Sequence, residues 1–222
     1  MLEALNLKVI KNRNYTRLRL FFKHRNLLVL TAPKQVSQKK CLEFLKENHQ
    51  WIQTQYQSLN QEDFKSLLKT DCYYLFGEWR AFDNETIKSL WQDFLYQSHS
   101  LSKKSLSRFY YKALYEYLEE RVAFFALKMQ LEPQGFKIGK SYRTLGRCSS
   151  HKQLCFSLQL SLLPKHLIDS VIIHELAHIQ YFNHSKDFWN LISQYDKNPK
   201  QVHCYLKENH FFHQTFFYEI LK

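Results

Sequence analysis

Three histidines and one glutamate near the end of the chain have a spacing suited to metal chemistry. His174 and His178 are four residues apart, so on a helix both imidazoles lie on one face and can approach a single metal ion. Glu175 would then lie close to a water molecule on that ion. Zinc lowers the pKa of bound water toward about 7, so this carboxylate could take its proton and later deliver it to a leaving group. The pattern indicates a metal-dependent hydrolase.

A zinc site of this kind needs a third protein ligand and an open fourth position. His184 is the predicted third ligand, because the chain can leave the helix, turn at Asn183 and bring an imidazole back. A Glu further along could do the same job. The alternative is that the histidines are ordinary core or surface residues. The apolar flanks weigh against it, since ionisable groups embedded in a buried helix are costly unless paired or metal-bound. These flanking residues are Val171, Ile172, Ile173, Leu176 and Ile179.

Length and composition fit one sizeable domain or two small ones. The 222 residues are 45% hydrophobic and 16% aromatic, which is ample for a packed core. No apolar run approaches the roughly 18 to 20 residues of a membrane span. The N-terminus lacks the pattern of a signal peptide. We therefore expect a cytoplasmic protein that has no membrane partner.

The cysteines and the histidine-rich tail offer weaker candidates for chemistry. Five cysteines without a CxxC pair argue against a disulfide framework, so we expect reduced thiols and a small buried side chain at Cys148. The tail carries further metal-ligating residue types, but their spacing fits no standard site. We expect an aromatic helix packed on the core there. The tail residues concerned are His203, Cys204, His210 and His213.

The chain is strongly basic, with a formal charge of +12. Such a charge favours polyanions such as nucleic acid or nucleotides through long-range attraction. The basic residues are dispersed, and a solvated surface explains them at least as well as a binding groove does. Nucleic acid is therefore a candidate partner.

The hydrophobic pattern predicts an α+β fold. Residues 7–32 are predicted to form two strands of a hairpin, and residues 37–56 an amphipathic helix that covers it. A strand over residues 73–77 and a short helix over residues 85–96 follow.

A polar, serine-rich stretch over residues 98–104 is the predicted boundary between two regions. Residues 1–100 form an N-terminal α+β region, and residues 101–222 form the metal-binding catalytic region. The predicted elements of the second region are a long helix over residues 105–129, strands over residues 136–142 and 154–160, and the metal-site helix over residues 164–181.

Several motifs together resemble the YgjP-like family of metal-dependent hydrolases, relatives of the SprT-like zincins. The resemblance covers nearly the whole chain, and its most specific part is C-terminal. It implies a zincin-like metallohydrolase core. It also implies that His174, His178 and His184 bind the metal and that Glu175 is the catalytic acid/base. The motifs are Gly146-Arg-Cys-Ser-Ser150, Ile168-Asp-Ser-Val-Ile-Ile-His-Glu-Leu-Ala-His178 and Asn183-His-Ser-Lys-Asp-Phe-Trp189, preceded by Ala32-Pro33, Trp51-Ile52 and Leu75-Phe-Gly77.

One segment departs from the family pattern. The family usually has Arg-Trp-Gly-Ser-Cys where this chain has Thr144-Leu-Gly-Arg-Cys148, and Asn where this chain has Ser157. Arg143 or Arg147 could replace the missing basic residue and stabilise an oxyanion or phosphate, because a guanidinium offers a planar fork of donors. The alternative is that both are ordinary surface arginines.

Three functions follow as hypotheses. The first is a zinc-dependent metallopeptidase, in which Glu175 activates metal-bound water for attack on a peptide carbonyl. The second is a nucleotide pyrophosphatase, since YgjP-like proteins are also described as acting on UTP, although the chain has no Gly-rich phosphate loop. The third is a nucleic-acid-binding module with a structural Zn²⁺, but a closed zinc site has no use for Glu175. The sequence favours the peptidase, with a protein or peptide substrate.

Overall fold

The chain divides into two compact units, Met1–Leu67 and Leu68–Lys222. The computed structural model describes residues 5–24, 27–60, 67–96 and 100–222. The predicted boundary lay near residue 100, and Ser98 and His99 within it lie outside the described residues. The boundary near residue 100 stays a prediction, and the segment before residue 96 packs on the long helix that follows it. One such contact is the hydrogen bond that the Tyr110 hydroxyl donates to the Tyr74 carbonyl, at 2.7 Å.

In its described residues, the first unit forms a three-stranded sheet and two helices. The strand order is β1-β3-β2, with β1 parallel and β2 antiparallel to β3. The predicted hairpin is β2–β3; β1 was not predicted as a separate strand, because its exposed residues show no two-residue alternation of burial. The predicted single helix is two helices, divided at Asn48, whose side chain donates to the Phe44 carbonyl. The elements are β1 (Asn6–Asn12), β2 (Arg19–His24), β3 (Leu27–Pro33), α1 (Gln38–Glu47) and α2 (His49–Asn60).

The described part of the second unit is mainly helical and contains two small sheets. One is the hairpin β4–β5, and the other has the order β6-β8-β7, with β6 parallel and β7 antiparallel to β8. A mixed α+β fold is therefore confirmed. Its elements are β4 (Cys72–Leu75), β5 (Glu78–Ala81), α3 (Glu85–Tyr96), α4 (Ser100–Met129), β6 (Gly135–Gly139), β7 (Gly146–Cys148), β8 (Gln153–Ser157), a 3₁₀ helix (Leu158–Leu162), α5 (Lys165–Ala177), α6 (Lys186–Ser193), α7 (Gln201–Glu208), α8 (His210–Phe216) and a terminal π turn (Phe217–Leu221).

The long helix α4 is the centre of this unit. Its Leu106, Tyr110, Leu114 and Leu118 recur every four residues and are fully buried, as one face of a helix requires. The end of the chain packs against it: Ser107 donates to the Leu221 carbonyl at 2.7 Å. None of the described helices is long and apolar enough to cross a membrane. All five cysteines are free.

The predicted strand over residues 154–160 is half right. The strand ends at Ser157, and the following five residues form a buried 3₁₀ helix. The hydroxyl of Ser157 accepts a hydrogen bond from the backbone amide of Gln159, and Ser161 donates to the Leu158 carbonyl. These local bonds compete with strand pairing, which explains why an alternating apolar pattern did not give a longer strand.

The turn of the β4–β5 hairpin sets the start of α5. The backbone amide of Phe76 donates to the Ser161 carbonyl at 2.7 Å. Gly77 has a φ of +83°, and a Cβ atom there would come within 2.5 Å of Pro164, the residue that caps α5. Only glycine combines this conformation with such a close approach. The hairpin therefore holds the chain at the point where the helix bearing His174 begins.

Asp169 ties α5 to α4, and its loss is expected to destabilise the fold. Its carboxylate accepts two bonds from Arg121, at 2.7 and 3.0 Å, and one from the Tyr117 hydroxyl at 2.8 Å. These groups are mostly buried, so Asp169→Ala leaves donors without their acceptor. We expect the free energy of unfolding to fall by about 2 kcal/mol in urea titrations.

The control for that measurement is Glu116→Ala on the same long helix. Glu116 pairs with Lys112 at 3.8 Å, and both side chains are largely exposed. Exposed pairs of this kind contribute about 0.5 kcal/mol or less. Equal destabilisation by Asp169→Ala and Glu116→Ala would show that the bonds of Asp169 contribute no more to the free energy of unfolding than an exposed ion pair does.

His213 in α8 is expected to make the fold acid-sensitive. It is fully buried against Tyr205 and Phe212, and neither ring nitrogen has a hydrogen-bond partner among the residues that the structure describes. Burial, with a smaller contribution from His210, lowers the pKa of His213 to about 4. An unfolded histidine has a pKa near 6.5, so the unfolded chain takes up the proton first.

The contribution of neutral His213 to the free energy of unfolding is complete above pH 6.5. It falls by about 3 kcal/mol as the pH falls from 6.5 towards 4. The measurement is urea unfolding of wild type and His213→Leu at pH 7.5 and pH 5. The variant should lose less stability than wild type over this interval. An equal loss in both proteins would assign the acid sensitivity to other groups.

Candidate metal centre

The three predicted histidines lie together at the end of α5. Their ligand nitrogens all lie within 4.8 Å of one another, and among the residues that the structure describes no other such group of His, Cys, Asp or Glu is found. The Nε2 atoms of His174 and His184 are 3.1 Å apart. The ring centroid of His178 lies 4.9 Å from those of both other histidines. The tail residues His203, Cys204, His210 and His213 therefore form no second group of this kind.

This donor set fits a zinc ion. Two nitrogens that each lie 2.0–2.1 Å from one tetrahedral ion are about 3.3 Å apart, close to the distance between His174 and His184. Burial and the two neighbouring imidazoles lower the pKa of His174 to about 4. Burial also lowers the pKa of His178. Both imidazoles are therefore neutral at pH 7, which is the form that binds metal.

The end of α5 places the ligands. The helix stops at Ala177, earlier than predicted, and His178 is its C-cap. The Nδ1 atom of His178 lies 2.9 Å from the Tyr181 carbonyl oxygen. Because a carbonyl can only accept, Nδ1 carries the hydrogen and Nε2 keeps its lone pair for a metal. The turn after the helix thus both orients His178 and brings His184 back.

Helix α6 supports the three imidazoles from the other side. The hydroxyl of Ser185 caps this helix by accepting a hydrogen bond from the Phe188 amide. Phe188 is fully buried, and its ring lies 4.7–5.0 Å from all three imidazoles. Trp189 stacks on His184 at 5.8 Å. The residues that follow His184 therefore build the wall against which the histidines pack.

Glu175 is buried beside β7. Only 6% of its surface is exposed, and burial raises its pKa to about 7. A Cβ atom on Gly146 would lie 2.6 Å from the Glu175 Cγ and 2.7 Å from Oε1. The glycine therefore lets the strand backbone approach the carboxylate. In the sequence Gly146 stands out only as part of a motif, because its contact with Glu175 joins residues far apart in the chain.

Strand β7 distributes its side chains between two faces. Gly146 and Cys148 share one face, because successive side chains alternate, and the pKa of Cys148 is raised by burial and by the nearby charge of Glu175. Arg147 is exposed and belongs to the opposite face. Arg143 is exposed in the preceding loop. Contact of either arginine with substrate stays a prediction.

A buried amide holds the loop that leads into β7. Gln159 is 2% exposed, and its Nε2 atom lies 3.2 Å from the carbonyl oxygens of Ser141, Tyr142 and Thr144. The Ser157 hydroxyl also donates to the Ser141 carbonyl. These two side chains were not predicted to act here. They hold in place the segment that brings Gly146 into contact with Glu175.

Gly146→Ala is expected to impair the site without removing a ligand. The new methyl group would displace the Glu175 carboxylate or push β7 away from α5. Misplacement of a reacting group by about 1 Å can cost about 100-fold in rate. Because Glu175 is the predicted acid/base, we expect a loss of that order in kcat of the predicted hydrolysis, with metal content unchanged.

Gly139→Ala is the matched control, because a Cβ atom there would meet Cys155 Sγ at an ordinary 3.5 Å. It should retain its activity. Equal activity of the two alanine variants would contradict the role given to Gly146.

A family comparison covers these residues. A model described as YgjP-like, metallopeptidase domain, matches residues 16–209, which is most of the chain. The matched range includes the three histidines, Glu175, Gly146 and α6, so the resemblance noted from the sequence motifs is confirmed. The comparisons with curated proteins and with solved structures give no match.

Proposed function

The chain belongs to the YgjP-like metallopeptidase family, and on that basis we propose that it is a zinc-dependent peptidase with its active site at the end of α5. A metal-dependent hydrolase is what the family implies; zinc and a peptide substrate are our proposal. The observation that carries it is the convergence of three imidazole nitrogens next to a buried carboxylate.

The proposed roles follow from the placement of each group. His174, His178 and His184 hold the metal through nitrogen, and Phe188 keeps their rings in place. A bound zinc ion supplies Lewis acidity towards water and towards a carbonyl oxygen. Glu175, whose pKa is about 7, accepts a proton from the attacking water and donates it to the leaving amine.

Strand β7 supports an extended peptide as substrate. Among the described strands, β7 pairs only with β8. Leu145 and Ser149 form backbone bonds to β8, at Ser157 and Gln153. By the alternation of an antiparallel ladder, the backbone groups of Gly146 and Cys148 therefore face away from β8. A peptide could add there as a further strand, which would place the peptide bond to be cleaved near Glu175.

A nucleoside triphosphate is less well supported as substrate. Its phosphates need cations, and Arg147 belongs to the face of β7 opposite to Gly146 and Glu175. Arg143 remains the other exposed arginine of this segment. We retain UTP as the comparison substrate, because the same metal chemistry could act on phosphorus.

The experiment offers both substrate classes to the zinc-loaded protein in parallel. One arm is a mixed library of fluorogenic peptides and the other is UTP, each with wild type and Glu175→Gln. Peptide cleavage that only wild type performs would support the proposal. Cleavage of UTP alone, again lost in the variant, would replace it with nucleotide hydrolysis. Metal-loaded protein that cleaves neither class would contradict the proposed function.

A further inference from the structure

Positive charge is concentrated at the start of the chain. Ten Lys and Arg residues and no Asp or Glu lie between Glu3 and Glu43. The net charge of the whole chain is +12. A run of this kind repels itself unless an anion is present, and it often marks an interaction surface. In the structure, several of these residues lie together at one edge of a sheet.

The sheet of the first unit brings several of these cations to one edge. Strands β1 and β3 are parallel, so their carboxyl ends meet, with Asn12 opposite Pro33. Lys11, Arg13 and Lys34 lie at these ends. The backbone amide of Lys34 donates to the Asn12 carbonyl at 3.1 Å, which joins the two strand ends directly.

The same edge receives the start of β2 and of α1. Strand β2 runs antiparallel to β3, and Arg19 pairs with Thr31 near the end of β3, with Arg17 just before it. Helix α1 begins within five residues of Pro33, and Lys39 and Lys40 lie in its first turn. The Lys11 ammonium donates to the Val36 carbonyl at 2.7 Å, which holds the approach to α1 at the end of β1.

We call this group of seven cations the basic edge, and all of them are exposed. Its members are Lys11, Arg13, Arg17, Arg19, Lys34, Lys39 and Lys40. None of them forms an ion pair within the described part of the chain. The first turn of α1 contains no acidic residue, so the positive end of its dipole adds to the field. A surface with this much uncompensated charge attracts a polyanion strongly.

We propose that the basic edge binds the phosphate backbone of a nucleic acid. Three adjacent strands span about 10 Å, which matches about three phosphates along one strand of a duplex. The cations are carried on several separate elements, so they can meet a row of charges rather than one small anion. Contacts of this kind position the protein without reading base sequence.

The test measures binding of the full-length protein to a fluorescein-labelled 20-base-pair DNA duplex by anisotropy across salt concentrations. One variant carries Arg13→Gln, Lys34→Gln and Lys39→Gln. The matched control carries Arg108→Gln, Lys104→Gln and Lys197→Gln, three exposed cations of the second unit. Both variants lose three charges, so a difference between them reflects position and not net charge. Circular dichroism and metal content check that each is folded.

Wild type should bind with a Kd below about 10⁻⁵ M at 50 mM salt, and binding should weaken steeply as salt rises. The basic-edge variant should bind at least about 10-fold more weakly, with a salt slope smaller by about 3, while the control changes little. Three results would overturn the proposal: no binding by wild type, an equal loss in both variants, or equal affinity for an oligoglutamate of the same charge. None of these readouts depends on peptidase activity.

Discussion

Replacing Glu175 with Gln is expected to slow turnover by at least about 100-fold while the protein keeps its metal. Gln has the same shape but cannot accept a proton, and removal of a general acid/base costs about 10²–10⁴-fold in rate. The group of side chains that could hold the metal consists of the three histidines and does not include Glu175. We therefore expect kcat to fall by at least about 100-fold, measured on the substrate class that wild type cleaves, with the metal-to-chain ratio unchanged.

Glu119→Gln provides the control. Glu119 is exposed on α4, so this substitution makes the same chemical change away from the site. It should behave as wild type. Substantial activity in Glu175→Gln would show that the proton is handled by another group. Loss of metal from Glu175→Gln would instead make the carboxylate a ligand or a structural support.

Loss of His178 or His184 is expected to have the largest effect on metal binding. Each alanine variant removes one of three converging nitrogens, and the remaining pair cannot enclose a tetrahedral ion. Changes to outer groups that only orient a ligand cost about 10–100-fold in metal affinity. Removal of a ligand itself should cost more than about 100-fold, measured by competition with a chromophoric chelator.

His166→Ala is the control for these variants, since His166 is exposed near the start of the same helix α5. It should bind metal with wild-type affinity. A variant that lacks His184 and yet retains full affinity would show that another side chain completes the site. The Glu that was considered as an alternative third ligand would then need to be sought among the acidic residues after His178.

The local parts of the site could be predicted because they depend on helical spacing. His174, Glu175 and His178 occupy one turn of a helix, and the buried neighbours of that turn are visible as an apolar pattern. The return of His184 also follows from a short connection. Phe188 and Trp189, which end the most specific motif of the sequence, lie in α6 and pack on the histidines.

Contacts between distant segments could not be predicted in this way. Gly146 meets Glu175 only because β7 and α5 pack together, and Gln159 binds three carbonyls of a loop that lies earlier in the chain. Strand β1 escaped prediction because both of its faces are largely exposed. The 3₁₀ helix after Ser157 depends on side-chain hydrogen bonds that compete with a strand of the same apolar pattern.

We propose that His174 and His178 at the end of α5, and His184 after the turn that follows, hold a catalytic metal ion. The most direct test is elemental mass spectrometry of tag-free wild-type protein purified without chelators and then offered zinc. We predict about one zinc ion per chain, as a single site of three imidazoles requires. Folded wild type that binds no metal, even when zinc is supplied in excess, would contradict the account and leave the chain without a hydrolytic centre.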